Sequence, residues 1–179
     1  TVSDVVKLDK NNKILINLGL KLIRNGQTKP GIMALIEVAK KNFHNLNSID
    51  IGFGIGPRIN AAGRLKDMTI GINCLLSDDF EESMNLAYEL DNINKKRKVI
   101  ETQMKEESLE PDTLQGGDFV KVAYSDSFHE GVIGIVASRL KEMFYKPTIV
   151  FAPSHDDELI KGSGRSINEI HLRDAIDYV

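Results

Sequence analysis

The stretch from Asp78 to Leu109 contains neither glycine nor proline, and no other part of the 179-residue chain runs so far without a helix breaker. Leu86, Leu90, Ile93, Arg97, Ile100 and Met104 recur through it at steps of three or four. That spacing predicts one helix with a narrow apolar stripe, and the polar run Asn94–Lys105 leaves little for a broad core face. At 1.5 Å per residue it is about 45 Å long. A helix this long and polar either connects two bodies or lies on the surface of a single one, and periodicity alone permits both.

The sequence on its two sides follows different rules. Before it, Asp9 is placed to cap a helix through Ile14, Leu15, Leu18, Leu22 and Ile23, with Gly26 as its stop. Pro30 suits the first turn of a second helix, which is expected to bury Met33, Leu35, Ile36 and Val38. Gly52, Gly54 and Gly56 are expected to break regularity ahead of a polar helix starting at Pro57. After it, Phe119–Tyr124 and Thr148–Ala152 read as strands, and Val132, Val136, Leu140 and Met143 mark one helical face between them. Strand, helix and strand at this length predict a right-handed crossover with parallel strands. Asp156-Asp157 then reads as a turn into a strand near Leu159–Ser163, and Leu172, Ala175, Ile176 and Val179 open a last helix that the chain end truncates. The fold class expected is α/β, with the helical and α/β parts separated by the long helix.

Composition sets wide bounds. With 41% hydrophobic and 27% charged residues the chain can build a core. No apolar run reaches the roughly 20 residues that span a bilayer, and Thr1–Lys10 has no signal-peptide core. A cytoplasmic setting is expected. Thr1 in place of a start Met leads to the expectation that the N-terminus has been cut. Cys74 is the single cysteine, which excludes an intrachain disulfide. The net charge of −3, from 23 Lys+Arg and 26 Asp+Glu, argues against a protein held to nucleic acid by bulk charge, though not against a local basic groove.

Three motifs could carry chemistry. GPRINAAGRL, Gly56–Leu65, sets Arg58, Asn60 and Arg64 around the small residues Ala61-Ala62-Gly63. Guanidinium forks suit phosphate oxygens, and small residues allow a backbone to approach; surface charge and salt bridging are the plainer alternative. SFHEGVIGIVASRL, Ser127–Leu140, has a capping-box spacing at Ser127 and Glu130. His129 lies at the helix mouth and Arg139 further along. Free amides at such a helix start favour an anion, while a capped core helix explains the same residues. KGSGRS, Lys161–Ser166, sets Ser163, Arg165 and Ser166 among glycines, where amides, hydroxyls and a guanidinium can converge on one phosphate. A glycine-rich hairpin is the alternative. None of the three is a Walker A loop, and GFGIGP has Pro57 where a dinucleotide fingerprint needs its third glycine. His44, His129, His155 and His171 show no paired ligand spacing. Lys95-Lys96-Arg97-Lys98 fits a solvated helix face.

Taken together and in this order, the motifs resemble those of the RecJ branch of the DHH phosphoesterase family. TVSDVVKL resembles the segment closing the DHH catalytic domain, where an Asp binds a divalent metal, which implies that role for Asp4. GPRINAAGRL resembles the segment lining the DNA path. The polar helix resembles the connector to the DHHA1 domain, and HEGVIGIVASRL and KGSGRS resemble DHHA1 motifs that meet the nucleic-acid backbone, with Ser163 and Arg165 at a terminal phosphate. The implied organisation is residues 1–77 as the helical C-terminal part of a DHH domain, 78–110 as the connecting helix, and 111–179 as a truncated α/β DHHA1 domain with a mixed sheet. The Asp-His-Asp and Asp-His-His segments of the family are absent from this sequence, as is the later Gly-Gly-His segment; of the metal ligands only Asp4 matches.

The resemblance implies a 5′ to 3′ single-stranded-DNA exonuclease of DNA repair and recombination, using two Mn²⁺ or Mg²⁺ ions, with a repair helicase or single-strand-binding protein as possible partners. This piece by itself is expected to be inactive, to hold no metal, and to contribute DNA binding through Arg58, Asn60, Arg64, His129, Arg139, Ser163, Arg165 and Ser166. The rivals are a small DHH phosphoesterase of oligonucleotides or cyclic dinucleotides, against which the arginine-rich GPRINAAGRL segment argues, and a non-catalytic nucleic-acid-binding module.

Overall fold

The computed structural model describes residues 2–3, 6–117, 119–154 and 159–179. The chain parts into two compact units, Thr1–Lys96 and Arg97–Val179, and the boundary falls inside the long helix.

In the first unit Asp9 caps α1 (Lys10–Arg24), accepting from the Asn12 amide at 2.9 Å. The helix stops before Gly26, whose φ of +73° is the left-handed conformation glycine tolerates best. The sequence stripe on α1 is only partly buried: Leu20 and Ile23 enter the core, whereas Ile14, Leu15, Leu18 and Leu22 are exposed among the described residues. Helix α2 (Pro30–Val38) starts on its proline and buries Ala34, Leu35, Ile36 and Val38, with Met33 half-buried. Its Gly31 touches α5 (Thr69–Leu76) so closely that a Cβ would stand 1.6 Å from the Cys74 carbonyl oxygen. Between them, α3 (Ser48–Asp50), a π-helical turn (Ile51–Ile55) and α4 (Gly56–Leu65) run on without interruption. The three glycines therefore do not break the chain's helical path as the sequence led us to expect. They narrow it instead: at Gly56 a Cβ would lie 2.3 Å from the Ser3 hydroxyl.

The long helix is α6 (Phe80–Glu107), started by Asp79, which accepts from the Glu82 amide at 2.7 Å. Its first half supplies Ala87 and Leu90 to the core of the first unit. Its second half belongs to the other unit, where Met104 is buried and Arg97 pairs with Glu101 at 2.6 Å.

The second unit holds a mixed four-stranded sheet ordered β1 (Leu114–Gln115), β2 (Lys121–Tyr124), β3 (Thr148–Pro153), β4 (Ile160–Arg165). β2 and β3 are parallel, joined through α7 (Ile133–Phe144) as expected; β1 and β4 pair antiparallel to their neighbours. Helix α7 buries Ile133, Val136, Ala137 and Leu140, while Met143 stays exposed. The short α8 (Leu172–Asp177) leaves Ile176 exposed. The turn expected at Asp156-Asp157 lies outside the described residues. Among the described residues no helix is long and apolar enough to cross a membrane.

Candidate nucleic-acid interface

Each unit carries one of the arginine clusters. In the first, Arg58 of α4 donates from Nε to Asp91 of α6 at 2.9 Å, its Nη2 lies 2.9 Å from the same carboxylate, and its Nη1 donates to the Gly54 carbonyl. Lys95 approaches the other Asp91 oxygen at 2.8 Å. Burial pushes the Asp91 carboxyl up, but hydrogen bonding from Lys95 and the charges of Arg58 and Lys95 outweigh it and hold the group below the usual carboxylate range. Arg58 is thus neutralised and mostly buried. Ala61 and Ala62 are fully buried, so the small centre of the motif packs α4 and does not offer an open backbone. Asn60 is half-buried, and Arg64, one turn on, is exposed yet has a partner of its own.

The second unit brings the other two motifs together. The strand expected near Leu159–Ser163 forms and runs on through KGSGRS to Arg165: β4 pairs along β3 from Ile160↔Pro153 to Arg165↔Thr148, so the motif's amides serve the sheet and do not converge on one phosphate. Strand alternation then sorts the motif. Gly162 and Gly164 lie on one face, beneath Phe151 and Leu172, where a Cβ would come within 2.5 Å of either side chain. Lys161, Ser163 and Arg165 share the other face, toward α7. Gly134 and Ser138, four residues apart on α7, are separated by about 6 Å and Ser163 and Arg165 by about 6.6 Å, so those two rungs stay in step, and a third at Lys161 falls on Glu130 in the turn ahead of the helix. Lys161 pairs with Glu130 at 3.4 Å, Ser163 faces Gly134, and Arg165 donates from Nε to Ser138 Oγ at 2.8 Å.

The middle rung is open because it is glycine. A Cβ on Gly134 would stand 2.9 Å from Arg165 Nη2 and 3.1 Å from Ser163 Oγ. Arg165 spends Nη1 on Ser163 Oγ at 3.1 Å and on the Gly164 carbonyl at 2.7 Å. Every one of these partners is uncharged, and among the described residues no carboxylate pairs with Arg165. Its Nη2 lies against the first turn of α7, which has no side-chain cap and no acidic residue. The Ile135 and Val136 amides donate to the Val132 carbonyl at 2.9 and 3.2 Å, and those of Ile133 and Gly134, as the first two of the helix, have no intrahelical acceptor. Such a turn attracts an anion. The capping box expected at Ser127 and Glu130 does not form, because Ser127 donates to Glu107 at 2.7 Å instead. His129 Nδ1 accepts from the Gly131 amide at 3.0 Å, leaving Nε2 to carry the proton of a neutral ring.

Two further expected residues are engaged elsewhere. Arg139 pairs with Glu101 at 3.5 Å and Glu142 at 3.7 Å. Ser166 Oγ accepts from the Leu172 amide at 2.9 Å, which starts α8. Ser138 was missed by sequence reasoning, although its spacing of four from Gly134 matches the strand's spacing of two. Asp4 lies outside the described residues, and among those described no group of three or more His, Cys, Asp or Glu could hold a metal ion.

Comparison with known proteins matches residues 117–179 to the DHHA1 domain family. The single-stranded-DNA-specific exonuclease RecJ of Escherichia coli is 49% identical over 99% of this chain and 31% of its own length. The RecJ of Bacillus subtilis is 33% identical over 98% of the chain and 22% of its own length. The crystal structure of RecJ from Thermus thermophilus in complex with Mg²⁺ superposes with a TM-score of 0.84 at 30% identity, covering 99% of this chain and 27% of that one. An exonuclease RecJ structure bound to manganese gives 0.79 at 30% identity, over 99% and 43%. The chain spans about a third or less of the length of the curated relatives it matches.

Proposed function

We propose that this chain, which belongs to the RecJ-like branch of the DHH/DHHA1 phosphoesterase family, holds single-stranded DNA for an exonuclease and reads the phosphate at the strand's end. The observation that carries this is the α7–β4 cluster. Arg165 is a cation with only neutral partners, set against an uncapped helix start, which leaves its charge for a ligand. Ser163 Oγ accepts from Arg165 and keeps its own proton to donate. Together with the first α7 amides these donors suit a compact, doubly charged phosphate. In the first unit, residues 1–77 stand as the end of a DHH domain. There Asn60 and Arg64 meet the passing backbone, and Arg58 holds α4 in place for them.

Hydrolysis, with the Mn²⁺ or Mg²⁺ that the structures of the relatives carry, belongs in this reading to residues beyond this chain apart from Asp4, so the chain alone is inactive. The test uses an end-labelled oligonucleotide with Mn²⁺. The 179-residue chain should bind single strands in preference to duplex and release no nucleotides, whereas the longest polypeptide encoded by its reading frame should release them. Equal affinity for duplex and single strand, or Mn²⁺-dependent release of nucleotides by the short chain that Asp4→Ala abolishes, would overturn the assignment.

A further inference from the structure

We infer that Ser138 is a positioning residue, setting which nitrogen of Arg165 faces the phosphate; the inference rests on the phosphate reading above. An arginine side chain is long and has five N–H donors, so a pocket that uses one of its edges must immobilise the others. Here Nε is held by Ser138 at 2.8 Å and Nη1 by Ser163 and the Gly164 carbonyl at 3.1 and 2.7 Å. The guanidinium plane is fixed at two corners, and Nη2 is the corner left over.

The orientation of Ser138 is itself determined. Its hydroxyl lies 3.2 Å from the Gly134 carbonyl and donates to it. The lone pairs are thereby left to accept from Arg165 Nε. Gly134 therefore acts twice, as the carbonyl that turns Ser138 and as the missing side chain that admits Nη2 to the helix start. Without the Ser138 hydroxyl, Nε would lose its acceptor and the guanidinium could rotate about its last bonds. Two of the three anchors lie on β4 beside Arg165 itself, so Ser138 alone ties the guanidinium to the helix that supplies the amides. A neutral anchor is also the right kind: a carboxylate at position 138 would fix Arg165 equally well but cancel the charge that the phosphate needs.

The experiment compares binding of two oligonucleotides, identical but for a 5′-phosphate or a 5′-hydroxyl, to the longest polypeptide encoded by the reading frame. Ser138→Ala, Ser138→Thr and Arg165→Ala are the variants. Arg165→Ala should lower the phosphate-to-hydroxyl affinity ratio by roughly tenfold or more, the weight of one charge-assisted contact. Ser138→Ala should lower it by about fivefold with affinity for the 5′-hydroxyl strand unchanged, and Ser138→Thr, which keeps the hydroxyl, should restore it. The double variant should be no worse than Arg165→Ala alone, because Ser138 acts only through Arg165. A reduced ratio in Arg165→Ala with an unchanged ratio in Ser138→Ala would overturn the role of Ser138 alone. An unchanged ratio in Arg165→Ala would overturn the phosphate reading, and Ser138 with it. Equal loss of affinity for both strands in Ser138→Ala, unrelieved by Thr, would make the residue a helix-packing serine only.

Discussion

Arg58 and Arg165 are both half-buried arginines in motifs rich in glycine and alanine, and they are held in opposite ways. Arg58 is met by the carboxylate of Asp91, which Lys95 also approaches; its charge is spent within the fold. Arg165 is met by two hydroxyls and a carbonyl, which fix the side chain and leave the charge unspent. The partner's charge, more than the depth of burial, separates an arginine that holds a protein together from one that waits for an anion. The same contrast runs through the glycines. Gly56 admits the protein's own Ser3, whereas Gly134 admits the end of a side chain that is free to bind something else.

The largest expected effect of this difference is on stability. Arg58→Ala leaves Asp91 with only Lys95 and should cost about 2–3 kcal/mol in urea unfolding. Arg165→Ala, which strands no buried charge, should cost less than about 1 kcal/mol. Comparable losses would erase the distinction.

Gly134→Ala sharpens it from the other side. Alanine is favoured over glycine within a helix by up to about 1 kcal/mol, so stability should hold or rise slightly. The new Cβ displaces Arg165 Nη2 and Ser163 Oγ, and preference for a 5′-phosphate should fall by roughly tenfold. An alanine variant that keeps the preference would show that the close approach is incidental.

A smaller effect is expected with pH. Asp91 has a folded pKa below its unfolded value, so its contribution is complete above about pH 4 and is lost as the pH falls through the folded value. Asp91→Asn should therefore be less stable than the parent at neutral pH, with the gap closing in acid. A gap that is constant with pH would mean that the carboxylate's charge is not what Arg58 uses.

The smallest concerns Lys161, paired with Glu130 at 3.4 Å and well exposed. Lys161→Ala should change stability by less than about 0.5 kcal/mol, yet reduce the salt dependence of single-strand binding by about 0.7 in slope if the lysine turns to a phosphate. An unchanged slope would leave it a surface ion pair.

What could be read from the sequence was what neighbours in the chain decide. Asp9 as a cap, Pro30 as a helix start, the unbroken α6 and the β2–α7–β3 crossover all rest on signals within a few residues of where they act. What could not be read was decided across the fold. Arg58 finds Asp91 33 residues away, and Ser138 finds Arg165 at a distance of 27. The Ser127 capping box was a sound local rule that lost to Glu107, 20 residues upstream. The α1 stripe shows the same limit: its spacing predicted a helix correctly, but not which side of that helix the described residues would cover. At the candidate site, Ser163 and Arg165 were legible as residue types. A strand near Leu159–Ser163 was legible too, but not that it continues to Arg165 and sets Ser163 and Arg165 on the face toward α7, because the pairing with β3 decides that.

The most direct test of the two-arginine account is one affinity ratio, for 5′-phosphorylated over 5′-hydroxyl oligonucleotide, measured in Arg165→Ala and Arg58→Ala of the longest encoded polypeptide at a temperature where both remain folded. The account predicts a fall of roughly tenfold or more in the Arg165 variant and the parental ratio in the Arg58 variant. A parental ratio in Arg165→Ala, or a collapse in Arg58→Ala, would contradict it.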